Sequence, residues 1–123
     1  MSFIHDDVLD GAVGYIDDNC DYLYICSAEP ADYTEASSTY DLGYKASPTI
    51  DAPEDGDASG RKVHIQAIAD GTVSDTGTAT HWALVDEGNT KLLAAGSLSS
   101  GQSVTNGNTF TLTAFDVELP DPS

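Results

Sequence analysis

An alternation that begins at Arg61 constrains this chain more than any other feature. In RKVHIQAI, Val63, Ile65 and Ala67 fall on one face and Lys62, His64 and Gln66 on the other, which is the period of a half-buried strand. DGTVSDTG supplies turn residues, THWALVD reads as the next strand and DEGN as a hairpin turn. TKLLAAGSL follows as a strand and SSGQSVTNGN as a further turn. In TFTLTAFDVEL the apolar phase moves from Phe110, Leu112 and Ala114 to Phe115, Val117 and Leu119. That shift predicts a bulge or an exchange of faces near Ala114. Short strands separated by Gly, Asn and Asp turns imply a mainly β fold, an antiparallel β-sandwich over residues 61–119. Its core is expected from Val63, Ile65, Leu84, Leu92, Leu112 and Phe115.

Upstream the pattern changes. Ile4, Val8, Ala12 and Ile16 recur four apart with Val13 beside them, which predicts a short helix over residues 1–18 docked by that stripe. Ser2 is its candidate cap, and Asp6 and Asp7 sit where the helix dipole favours acids. DYLYIC, residues 21–26, reads as a strand. Residues 28–60 contain Pro30, Pro48 and Pro53 and no sustained period. They read as a long irregular arm or loop, in which TYDLGYK adds a short edge strand. The 123 residues suit a single domain.

Charge excludes several partners. The chain has 21 acidic and 4 basic side chains, net −17. Without clustered Lys and Arg it is not expected to bind nucleic acid or a membrane surface. No apolar run approaches the length of a membrane span, and the start, MSFIHDDVLDGAV, lacks the features of a signal peptide. Cys20 and Cys26 are therefore expected as free thiols of a reducing compartment.

No reactive constellation is evident. His5, His64 and His81 lie in different elements without metal-ligand spacing. DAPEDGDASG fails as a calcium loop, because counting from Asp51 places Pro53 third and Lys62 twelfth. Nucleophile and phosphate-cradling motifs are missing, so no enzyme, metal or cofactor is expected. In TATHWALVD, strand alternation groups His81 with Ala79, Ala83 and Val85, and Trp82 with Thr80 and Leu84. The small companions place His81 toward the core and Trp82 on the other face, both in structural roles. Tyr22, Tyr24, Tyr33, Tyr40 and Tyr44 crowd the first third of the chain. They either anchor a partner or cover one end of the sandwich.

Two stretches carry a resemblance. LYICSAEPADYTEASST has the layout of a strand, a polar Pro-containing turn and a Ser/Thr-rich stretch. GTATHWALVDEGNTKLLAAGSLSSGQSVTNGNTFTL is similar to the carboxy-terminal half of small virion proteins of tailed bacteriophages. The resemblance implies a non-enzymatic β-sandwich of the virion, assembled in the host cytoplasm, and carries over no catalytic residue. The role expected from it is a capsid decoration, or cement, protein on the outer head shell. Its partners would be the major capsid protein and neighbouring copies or a homo-oligomer. A tail or fibre component is the alternative. A carbohydrate-binding module using Trp82 is a third reading.

Overall fold

The computed structural model describes residues 6–55 and 60–119. Helix α1 (Asp6–Asn19) leads into nine strands: β1 (Tyr22–Cys26), β2 (Asp41–Ala46), β3 (Glu54–Asp55), β4 (Arg61–Ile65), β5 (Ile68–Val73), β6 (Gly77–Asp86), β7 (Lys91–Val104), β8 (Thr109–Leu112) and β9 (Phe115–Leu119). All strand pairings are antiparallel. Six strands form one sheet in the order β7-β6-β1-β2-β5-β8, and three form a second in the order β3-β4-β9. The fold is mainly β with a helix near the amino terminus, as the sequence leads one to expect.

The phase shift at Ala114 has a simple cause. β8 belongs to the large sheet and β9 to the small one, so the chain changes sheets at Thr113–Ala114. RKVHIQAI does the same. β4 ends at Ile65, residues 66 and 67 cross over, and Ile68 opens β5 in the other sheet. Ala67 is therefore exposed and outside the alternation. The two crossings lie side by side, with Ile65 paired to Phe115 and Ile68 to Leu112. A bent two-stranded ribbon thus passes from one sheet to the other, a known way of turning a corner between packed sheets. The ribbon brings both sheets to one apolar cluster that includes Leu23, Ile25, Val63, Ile65, Leu84 and Phe110, an arrangement compatible with a sandwich.

Several expectations are corrected. Of the six core candidates, Val63, Ile65, Leu84 and Leu112 are buried, whereas Leu92 and Phe115 are half-buried at the margins. α1 buries Val13 and Ile16, but Val8 is 64% exposed and Ala12 is exposed. The face is rotated because Asp10 pairs with Arg61 of β4 at 2.6 Å, which sets the row 10, 13, 16 against the small sheet. Ser2 and Ile4 lie outside the described residues. DGTV is not a turn but part of β5. A Cβ at Gly71 would collide with the Phe110 ring that lies across it, so glycine is required here for packing. SSGQSV continues β7, and the turn comes at 105–108, where Gly107 has φ 91°.

Of the expected arm, residues 28–60, the part described before residue 56 is more regular than an irregular loop. β2 is an inner strand, paired with both β1 and β5, not an edge strand. A π-helical turn, Glu35–Thr39, precedes it. Asp32 Oδ1 accepts the Glu35 N–H, and Glu35 Oε1 accepts the Ala31 N–H, which holds the turn in the manner of a capping box.

Cys20 and Cys26 are free and pack against different clusters. β1 alone separates them by about 13 Å, well beyond the Cα spacing a disulfide spans. Burial pushes both thiols up to about 12, so they are protonated and inert. A reducing agent should leave the melting temperature unchanged; a loss of several degrees would show a bridge. Leu84→Ala should cost about 2–5 kcal/mol in chemical denaturation, and Val8→Ala no more than about 0.5 kcal/mol. Similar costs for the two would contradict the packing described.

Candidate functional site

The sequence brings its tyrosines to one place. Along β1, Tyr22, Tyr24 and Cys26 point to the face opposite the main core. Register sets them beside Val85, Ala83 and His81 of β6, with Tyr44 of β2 across from Tyr24. The rings of Tyr22 and Tyr24 stack at 5.9 Å, and Tyr44 lies 5.9 and 6.4 Å from them. The segment that carries the π-helical turn folds over this face. Ala36 is fully buried there, with Tyr33 and Tyr40 packed around the same cluster. Cys26 Sγ–H donates to the Ala36 carbonyl at 3.6 Å.

Glu87, in the β6–β7 turn, locks the cover in place. Its carboxylate accepts the hydroxyls of Tyr24, at 3.1 and 3.2 Å, and of Tyr33. Burial, reinforced by the Glu87 carboxylate, raises the Tyr24 hydroxyl above its ordinary range; for Tyr33 the bond to Glu87 is the main cause. Glu87 N–H donates to Asp21 Oδ1 at 2.6 Å. Tyr24 and Tyr33 thus serve an internal seam, and Tyr22 and Tyr40 are half-buried beside it. Of the five tyrosines proposed as partner anchors, Tyr44 is the one left exposed, at 36%.

Asp41 borders this cluster and is shifted by burial in the same direction. Its Oδ1 is buried without a hydrogen-bond partner, and burial, with Asp75 and Glu87 nearby, raises the carboxyl to about 6. Asp116, by contrast, is held below the ordinary carboxylate range by His64 at 2.7 Å and Lys62 at 3.0 Å.

His81 and Trp82 exchange the faces expected of them. β6 slips register between Ala79 and His81, so Ala79, Trp82 and Leu84 all face the main cluster while Ala83 and Val85 face the tyrosines. The bulge at Thr80 breaks the simple alternation. His81 is half-buried, and its Nδ1 lies 2.8 Å from Thr80 Oγ1. The Thr80 hydroxyl donates to Ser27 O at 3.0 Å, which leaves His81 Nδ1–H as the donor to Thr80.

Trp82 lies flat across β7. Its cross-strand partner is Gly96, where a Cβ would stand 2.6 Å from the indole Cζ2. The ring meets Phe115 at a centroid distance of 4.5 Å and an angle of 35°. The slip between Ala79 and His81 shows on β7 as well: Ser97 pairs with His81 and Gln102 with Ala79, which leaves residues 98–101 outside the ladder. This slip and the Thr113–Ala114 crossing open a cleft of about 550 Å³ lined by Trp82, Phe115, Leu98, Ser100, Gln102 and Thr113, among others. Gln102 Nε2–H donates to Thr111 O at 2.8 Å, tying together the two edge strands of the large sheet.

Charge is segregated around these edges. From Leu92 to Phe115 there is no charged residue, and this run supplies nearly all of β7 and the whole of β8. The four basic residues lie elsewhere and are engaged. Lys45 pairs with Asp70, Arg61 with Asp10 and Lys62 with Asp116, while Lys91 sits over the Tyr15 ring at 5.9 Å. The charge-free run can be read directly from the sequence, whereas the cleft depends on a register slip that no local pattern announces. Among the described residues, no group of three or more His, Cys, Asp or Glu could hold a metal ion.

Compared with known proteins, the chain matches no family model, no curated protein and no solved structure.

Asp41→Asn tests the electrostatics of the seam. An acid raised in the folded state binds more protons there than in the unfolded chain, so Asp41 lowers stability progressively as pH rises from about 4 to about 6. The asparagine variant should gain about 1 kcal/mol at pH 7.5 and nothing at pH 3.5. Equal effects at both pH values would contradict the raised carboxyl.

Proposed function

We propose that the chain is a structural protein of a tailed-bacteriophage virion, a decoration protein on the outer face of the head shell. It is held there by the charge-free edge of its large sheet. The observation that carries this reading is β7. It is 14 residues long, has a sheet neighbour on one side and contains neither proline nor any charge after Lys91. Edge strands normally carry such features to prevent pairing with other chains. β7 is interrupted at Leu93 and at residues 98–101, but its charge-free stretches, on a chain of net charge −17, are suited to a specific partner strand.

The mechanism is strand addition. Main-chain N–H and C=O groups of the free edge pair with an extended segment of the major capsid protein. Modest affinity per copy suffices when copies repeat over a symmetric shell and reinforce one another. The acidic remainder faces solvent and keeps an exposed particle soluble. The resemblance of residues 77–112 to small virion proteins supports the location. No catalytic step is part of the role. A tail component would use the same edge at far lower copy number, so abundance separates the two.

Quantitative mass spectrometry of purified virions should find the chain at a copy number comparable to the major capsid subunit. Its absence from particles overturns the reading, and a few copies per particle would place it in the tail. Because the contact is uncharged, the amount retained on particles should stay level, or rise, across a salt-wash series. Steep release with salt would indicate a charged interface instead.

A further inference from the structure

The cleft beside Trp82 has a chemistry that the attachment edge does not require. We infer that it is a binding site for a neutral saccharide, with the pyranose ring lying against the Trp82 indole and its hydroxyls meeting Gln102, Ser100 and Thr113. The inference is independent of the virion reading.

Three properties fix the ligand class. The first is size: about 550 Å³ falls within the range of small-molecule sites and accommodates one to three sugar rings. The second is charge. The lining residues are all uncharged, including Ser97, Ser100, Gln102, Thr111 and Thr113. An ionic ligand would lose its hydration with no countercharge in return, and an anion would also meet the repulsion of a chain at −17. The third is the mixture of surfaces. Trp82 and Phe115 present aromatic carbon, while hydroxyl and amide groups line the rest. A wholly apolar ligand would strand those polar groups without partners. A sugar satisfies both, since its ring carries a C–H face and a hydroxyl rim. Gln102 gives an amide N–H to Thr111 O and keeps its carbonyl oxygen as an acceptor.

The local sequence is arranged to present the indole. Gly96 gives it room to lie flat on β7. Strand alternation puts it on the same face as Leu84, yet Trp82 is only half-buried whereas Ala83 and Leu84 are fully buried. An indole on an inner face that stays partly open is available to a ligand.

Trp82 is the chain's single tryptophan, so its fluorescence reports on this cleft alone. The full chain should be titrated with glucose, galactose, N-acetylglucosamine, maltose, cellobiose, lactose and di-N-acetylchitobiose, and with the neutral peptide acetyl-Ser-Gly-Ser-Gly-amide. At least one sugar should give a saturating change with Kd of about 1 mM, the affinity expected of a shallow site with few hydrogen bonds. Gln102→Ala should weaken it at least about fivefold, the loss of one hydrogen bond, and Ser100→Phe should abolish it by filling the cleft. Circular dichroism of both variants should match the parent, and Tm should fall by no more than the roughly 5 °C that loss of the Gln102–Thr111 bond accounts for. Saturation by the peptide and no sugar would make the cleft a peptide groove and overturn the inference. So would no saturation by any sugar up to about 50 mM, or sugar binding that survives Ser100→Phe.

Discussion

The burial of β6 on both faces is the constraint on which the rest of the structure depends. Leu84 and Trp82 pack toward the main cluster, while Ala83 and Val85 are buried beneath the tyrosine face. A strand in that position needs a cover on each side, because exposing either face would return several apolar side chains to water. The small sheet and α1 form one cover. The other is the 33–40 segment, held down by Ala36 and by the two hydroxyls that Glu87 accepts. Much of the unusual chemistry follows from this second cover: raised tyrosine hydroxyls, an inert buried thiol at Cys26 and a strained carboxylate environment at Asp41.

The same constraint explains how the molecule divides its labour. Few acidic side chains enter the packed faces, Asp86 at the end of β6 and Asp41 beside the tyrosine cluster among them, and the basic ones serve to fasten elements, as Arg61 fastens α1 through Asp10. The run from Leu92 to Phe115 is left as the charge-free part of the surface. It contains both edge strands of the large sheet and most of the Trp82 cleft. Attachment by strand addition and saccharide binding would therefore occupy neighbouring parts of one neutral region, surrounded by a strongly acidic remainder that keeps other surfaces apart.

Fold class was legible because alternation and turn residues are local signals. Val63 and Ile65 followed the period of two, and the phase shift at Ala114 correctly marked an exchange, here between sheets. What escaped depends on contacts distant in sequence. Gly71 looks like a turn residue until Phe110 is laid across it. Val8 belongs to a plausible helical stripe, and only the Asp10–Arg61 pair reveals that α1 is rotated away from it. Alternation puts His81 and Trp82 on opposite faces, as they are, but the small companions point to the wrong face as the main core, because the bulge at Thr80 that parts Ala79 from His81 leaves no mark in composition. The five tyrosines were recognised as a group. The commitment of Tyr24 and Tyr33 to Glu87 was not, since a glutamate in a hairpin turn reads as solvent-exposed.

Hydrogen exchange on intact virions tests the central claim, that the neutral edge of the large sheet is the working surface, most directly. Peptides covering residues 92–104 should exchange markedly more slowly on the particle than in the free protein, as their edge N–H groups acquire partners. Peptides covering residues 28–40 should exchange alike in both states, because their contacts are internal. Protection confined to residues 28–40, with β7 unchanged, would contradict the account and return the tyrosine segment to the role of anchor.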